Sequence, residues 1–236
     1  AGREADQAAE GDSDSAAGAS EPGPSRSAAM EADQAYARRR EKVRRLLRAG
    51  SLDERMVQIV ERCGGTPLKL EAEWGRPILP EQIEAALKKE KGIKIVGLVH
   101  AETSTGVLQP LEEFPKILKS HPETLLLVDT VTSLGGHPVK VDEWGIDICY
   151  SGTQKCLSCP AGLAALTLNQ KARQALQART NKVQSWYLDL SLLSSYWSAK
   201  RFYHHTAPIS MVYALHEALV LVMEEGLEAR IQRHYR

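Results

Sequence analysis

The chain has 236 residues, a formal net charge of zero and a 43% hydrophobic share. That is enough apolar material for a sizeable core, while the balanced charge gives no overall pull toward nucleic acid or an acidic partner. Four cysteines, Cys63, Cys149, Cys156 and Cys159, are too sparse for a disulfide framework and favour a reducing, cytoplasmic setting, and neither a signal peptide nor an apolar run near the ~18 residues of a membrane span is present.

Residues 1–36 are rich in Ala, Gly, Ser, Asp and Glu and have almost nothing to bury, which predicts a disordered leader. Residues 37–50, opening ARRREKVRRLLRA, read as a basic helical segment. With no interleaved aromatics, a solvated face fits it better than a nucleic-acid or membrane contact. Ordered sequence is expected from Ser51, which with Glu54 fits a capping box, and Gly64-Gly65 stops the helix ERMVQIVERC. A short strand, TPLKLEA, follows, and Pro80 opens a second helix, EQIEAALKKEK. The run IKIVGLVHA is continuously apolar, as in a parallel strand buried on both faces. A helix, LEEFPKILKSH, leads to the strand TLLLVD; GIDICYSG and GLAALTL supply two more strands. The C-terminal part, PISMVYALHEALVLVMEEG, is apolar at helical spacing, with a glycine break before LEARIQRHYR. This alternation predicts the α/β class, a three-layer α/β/α arrangement around a mostly parallel sheet.

Polar clusters follow three of the apolar strands: HAETSTG at 100–106, DTVTS at 129–133 and SGTQK at 151–155. Ligands of open α/β sheets bind outside the carboxyl ends of the strands. Two residues at this edge carry chemistry. Asp129 ends the apolar run LLLV, and Lys155 lies in a small polar loop between two apolar strands. Taken singly, the first reads equally as a turn aspartate and the second as a surface lysine. Taken together, they match what pyridoxal phosphate chemistry needs: an amine to hold the cofactor aldehyde as a Schiff base, and an acid to keep the pyridine nitrogen protonated.

The segments HAETSTGVLQPLEEF, LLLVDTVTSLGGHPVKVDEWGIDICYSGTQKCLSCPAGLA, KVQSWYLDL and RFYHHTAPISMVYALHEAL resemble the class V, fold-type I pyridoxal phosphate aminotransferases, most closely the alanine–glyoxylate and serine–pyruvate group. The resemblance implies that residues 51–236 form part of the cofactor-binding large domain and that the cofactor is pyridoxal 5'-phosphate. It implies transamination between alanine or serine and glyoxylate or pyruvate, in a homodimer, without a nucleic-acid or membrane partner. Lys155 is then the catalytic Schiff-base lysine and Asp129 the partner of the pyridinium nitrogen. Val131 presses on one ring face, Ser104 bonds the phenolic oxygen and Gln154 contacts the phosphate. Tyr203 and Thr206 reach the phosphate of the neighbouring subunit. Cysteine desulfurases of the same fold usually carry histidine where Gln154 stands, so transamination is favoured over a desulfurase-like lyase. A third reading is a non-catalytic remnant of the fold acting as an interaction protein.

Two family features are not recognisable. Residues 1–50 lack a Ser-Gly-His-type phosphate loop and a ring-stacking aromatic, and the sequence up to Arg236 lacks the small C-terminal domain with its carboxylate-binding arginine. A fragment with little or no activity of its own is therefore expected, and the leader reads as the product of a truncated or frame-shifted frame. Outside the resemblance, Cys156 and Cys159 form a single CxxC, short of the four ligands of a structural zinc site, so no metal is expected. His204 and His205 are expected to point apart on an extended segment, and the four tryptophans to serve core or interface.

Overall fold

The computed structural model describes residues 46–49, 54–199 and 201–236, all within one compact unit spanning 39–236. The leader over 1–36, most of the basic run and the Ser51 cap lie outside the described residues.

A six-stranded sheet organises the chain. Its strands are β1 (Leu46–Ala49), β2 (Pro67–Leu70), β3 (Ile95–Val99), β6 (Leu125–Asp129), β7 (Ile148–Gly152) and β8 (Ala164–Leu168), in the order β2-β1-β3-β6-β7-β8. Every pairing is parallel except β7 with β8. Two short strands, β4 (Ala101–Glu102) and β5 (Val107–Leu108), form a separate antiparallel hairpin. The helices are α1 (Glu54–Arg62), α2 (Pro80–Lys89), α3 (Phe114–Leu118), α4 (Gln170–Gln177), α5 (Leu190–Trp197), α6 (Ile209–Glu225) and α7 (Leu227–His234). The α/β class and the mostly parallel sheet agree with the sequence reading.

The punctuation acts as the residue chemistry requires. Gly64 sits past the end of α1 at φ +78° and Gly226 separates α6 from α7 at φ +80°, both left-handed positions that cost glycine little. Pro80 occupies the first turn of α2, where a missing N–H is no loss. The Asn169 and Asp189 side chains cap α4 and α5 by accepting from Ala172 N and Ser191 N.

One expectation fails at the start of the described sequence. The basic run read as helical over 37–50 ends in a strand, because Leu46–Ala49 pairs in parallel with β2 on one side and β3 on the other. Ladder hydrogen bonds on both edges override the helix preference of Leu, Arg and Ala. Order therefore begins before Ser51.

The core lies on one face of the sheet. Val96 and Leu98 of β3 and Leu126 and Val128 of β6 are fully buried, packed with Ile83 and Leu87 of α2 and Phe114 of α3. Alternate residues of β6, Leu125, Leu127 and Asp129, are only half-buried. The strand therefore shows the period-2 alternation of a sheet with one covered face, whereas β3, the run expected to be buried on both faces, has Val96, Gly97 and Leu98 buried in succession. At the far edge, β8 is exposed along nearly its whole length.

Candidate active site

Parallel pairing brings the three polar clusters to one edge. Val99 is in register with Asp129, and Asp129 with Tyr150, so the ends of β3, β6 and β7 lie side by side. Residues in register on neighbouring strands point to the same face. Asp129 and Tyr150 therefore meet. The phenol of Tyr150 donates to Asp129 Oδ2 at 2.6 Å, and the backbone N–H of Val131 donates to Oδ1 at 2.8 Å. These two donors help fix the carboxylate in place.

Hydrogen bonds also join the three clusters to one another. The His100 ring, at the end of β3, shares a hydrogen bond of 2.9 Å between Nδ1 and Ser133 Oγ. Thr130 donates its backbone N–H and its hydroxyl to the Tyr150 carbonyl, at 2.8 and 2.9 Å. Ser151 Oγ donates to the Thr130 carbonyl, and the Cys156 thiol donates to the Thr132 carbonyl at 3.0 Å. His100 stands edge-on to Trp144 and His137. Burial, reinforced by the nearby His137 and only partly opposed by Glu112, lowers its pKa to about 4. It is therefore a neutral structural contact at neutral pH.

Lys155 lies just past the end of β7, exposed beside Gln154. The loop that carries it is turned tightly: Ser158 N donates to the Lys155 carbonyl at 2.9 Å, and Cys159 N donates to the Thr153 carbonyl at 3.1 Å. Gly136, in the loop after DTVTS, lies so close to this turn that a β-carbon there would meet Cys156 Sγ at 2.6 Å. The glycine is required by close approach. Burial raises the Cys156 thiol above its usual pKa, against the opposing pull of Arg230 and Lys155, and burial likewise raises Cys149. Both remain thiols engaged in packing and hydrogen bonding.

The other candidates fall into two groups. Ser104 is exposed in the turn of the β4–β5 hairpin that follows β3, its backbone N–H donating to Glu102 Oε1 at 2.7 Å. Tyr203 and Thr206 are brought to each other, with their hydroxyls 3.1 Å apart, and Tyr203 is 77% exposed. Among the described residues no hydrogen bond joins this pair to Asp129 or Lys155. The histidines beside them do not diverge as an extended segment requires. Their Nδ1 atoms lie 2.8 Å apart, and His204 stacks on Trp186 with ring centroids 4.2 Å apart. The segment is irregular rather than a strand, so the period-2 argument does not apply to it. Tyr150 and His100 are absent from the residues singled out by sequence. The only sequence signal for Tyr150 is its place in a strand pairing with the one that ends in Asp129, and a register is not visible in a linear sequence.

Residues 55–236 match the family model described as aminotransferase class-V. The (S)-ureidoglycine–glyoxylate transaminase of Bacillus subtilis is 42% identical over 197 residues, covering 76% of this chain and 47% of that protein. The alanine–glyoxylate aminotransferase of Oryctolagus cuniculus is 39% identical over 188 residues, 78% of this chain and 47% of that protein. Among solved structures, the alanine–glyoxylate aminotransferase of a Nostoc species superposes with a TM-score of 0.77 at 44% identity, over 88% of this chain and 55% of that one. The chain belongs to the class-V aminotransferase family, and its fold is that of these enzymes. It spans about half the length of the curated relatives it matches.

Proposed function

We propose that this chain carries the cofactor-handling half of a transaminase that moves an amino group from alanine or serine to glyoxylate or pyruvate with pyridoxal 5'-phosphate. The observation that carries the proposal is the Asp129 carboxylate, held by Tyr150 and Val131 N–H at the sheet edge. Beside it is a loop whose lysine amine has no hydrogen-bonding or ion-pair partner among the described residues.

This donor set fits the cofactor: an oriented anion suits a protonated ring nitrogen, and an unengaged amine suits an aldehyde. When bound, pyridoxal phosphate supplies an electron sink for negative charge at the substrate α-carbon. Lys155 Nζ would be the amine that holds the cofactor aldehyde and the group that moves the proton at the substrate α-carbon. Asp129 would hold the ring nitrogen through a charge-assisted bond. Val131, Ser104 and Gln154 would serve the ring face, the phenolic oxygen and the phosphate. Tyr203 and Thr206 donate to the phosphate of a neighbouring subunit's site in a homodimer, whose formation would cover apolar side chains such as Trp197, Phe202 and Tyr213 that stand exposed here. All four cysteines are free, in keeping with a cytoplasmic setting.

Borohydride reduction of the protein saturated with pyridoxal phosphate tests this reading. A covalent mass increment on the Lys155 peptide, lost in Lys155→Ala, is the expected result. A protein that carries no increment, or carries it equally on other lysines, refutes the assignment. Light scattering on the same sample reads the dimer.

A further inference from the structure

The loop of Lys155 is braced by a side chain from the other end of the chain. Arg230, in the middle of α7, is 6% exposed. Its Nη2 donates to the Cys156 carbonyl at 2.6 Å and to Ser158 Oγ at 3.0 Å, and its Nη1 donates to Glu225 Oε2 at 2.8 Å. The first two bonds grip the turn that opens at Lys155, on the peptide carbonyl directly after the lysine and on the residue whose N–H closes the turn.

The turn needs such a grip. Ser158 holds φ at +57°, a left-handed conformation rare for a residue with a β-carbon. A strained residue persists only where its surroundings over-determine it. Arg230 also bears a cost of its own, since its Nε is buried with no hydrogen-bond partner among the described residues. A buried cation with an orphaned donor is poor material for simple stability. Of its remaining donors, Nη1 pairs with Glu225 while Nη2 makes both of its bonds to a single strained turn.

We propose that Arg230 is a positioning residue for the reaction: it fixes the Lys155–Cys159 turn, and through it the place from which the lysine amine reaches the cofactor. The proposal rests on Lys155 being the Schiff-base residue. Arg230 acts through that lysine's loop and is given no contact with cofactor or substrate. The coupling spans more than seventy residues of sequence, so whatever shifts α7 shifts the lysine.

Amide hydrogen exchange of the cofactor-free protein and a pyridoxal phosphate titration test this on Arg230→Met, Arg230→Lys and Ser158→Ala. In Arg230→Met, exchange rises over residues 155–159 while β3 and β6 stay protected, and cofactor affinity falls about tenfold to a hundredfold, the scale of an ångström-level misplacement. Arg230→Lys, which keeps one cationic donor, restores part of both. Ser158→Ala removes one of the two grips and gives a smaller change of the same kind. Unchanged exchange and affinity in a folded Arg230→Met overturn the proposal, as does a rise in exchange spread evenly over sheet and helices. If Arg230→Met does not fold, the same readings on Ser158→Ala decide: wild-type exchange and affinity there overturn it. The exchange arm needs no cofactor. A loosened turn together with no adduct on Lys155 in the wild type would leave the brace standing and remove the Schiff-base reading instead.

Discussion

Asp129 owes its usefulness to two neighbours that do different things. The Val131 N–H bond closes a local turn within one loop, whereas Tyr150 reaches across from the next strand. A hydrogen bond to a charged group contributes about 1.5–3 kcal/mol, and each 1.4 kcal/mol or so is tenfold in affinity. Tyr150→Phe removes the phenol and keeps the ring's packing. It is expected to weaken pyridoxal phosphate binding about tenfold, read by absorbance titration, and to lower the melting temperature in step with the lost bond. Equal affinity in the two proteins would assign Tyr150 to packing alone. Lys155 shows the opposite design: its backbone is tightly held while its amine has no partner among the described residues.

At the level of elements, the site depends on how firmly α2 and α3 press on the buried face of β3 and β6. Phe114 is the largest fully buried side chain among the described residues, and it opens α3 in the connection from the β4–β5 hairpin to β6. Replacing a buried Phe with Ala costs about 3–5 kcal/mol, transfer and cavity together. Phe114→Ala should lower the unfolding free energy by that amount in denaturant melts without changing which lysine takes up the cofactor. The hairpin β4–β5 has only two residues in each strand and lies apart from the main sheet. Ser104 in its turn is therefore on the least supported element of the site.

For the molecule as a whole, His100 links folding to pH. Its pKa falls from 6.5 unfolded to about 4 folded, chiefly through burial. Between those values the unfolded chain binds a proton that the folded one refuses, so acid favours unfolding. The stabilisation is fully present above pH 6.5 and is lost as pH falls toward 4; the ceiling is about 3 kcal/mol. His100→Gln keeps a polar partner for Ser133 and removes the titration. Its unfolding free energy should decline less than the wild type's across that window in denaturant melts at matched pH. Parallel curves for the two proteins would show that the burial is relaxed in solution.

The sequence by itself determined the α/β class and most of the element order, and it singled out Asp129 and Lys155, on which the proposed chemistry rests. Those features are written locally: apolar runs of strand length, glycines and prolines at the breaks, and a polar cluster after each strand. Only the tertiary structure decided three things. Leu46–Ala49 is a strand because β2 and β3 pair with it on both sides, against the local preference of LLRA. Tyr150 stands against Asp129 because β6 and β7 share a register. Arg230 grips the lysine turn because α7 packs back onto it. Each is a contact between residues far apart in the chain. Such contacts are set by pairing and packing energies that no local window of sequence contains.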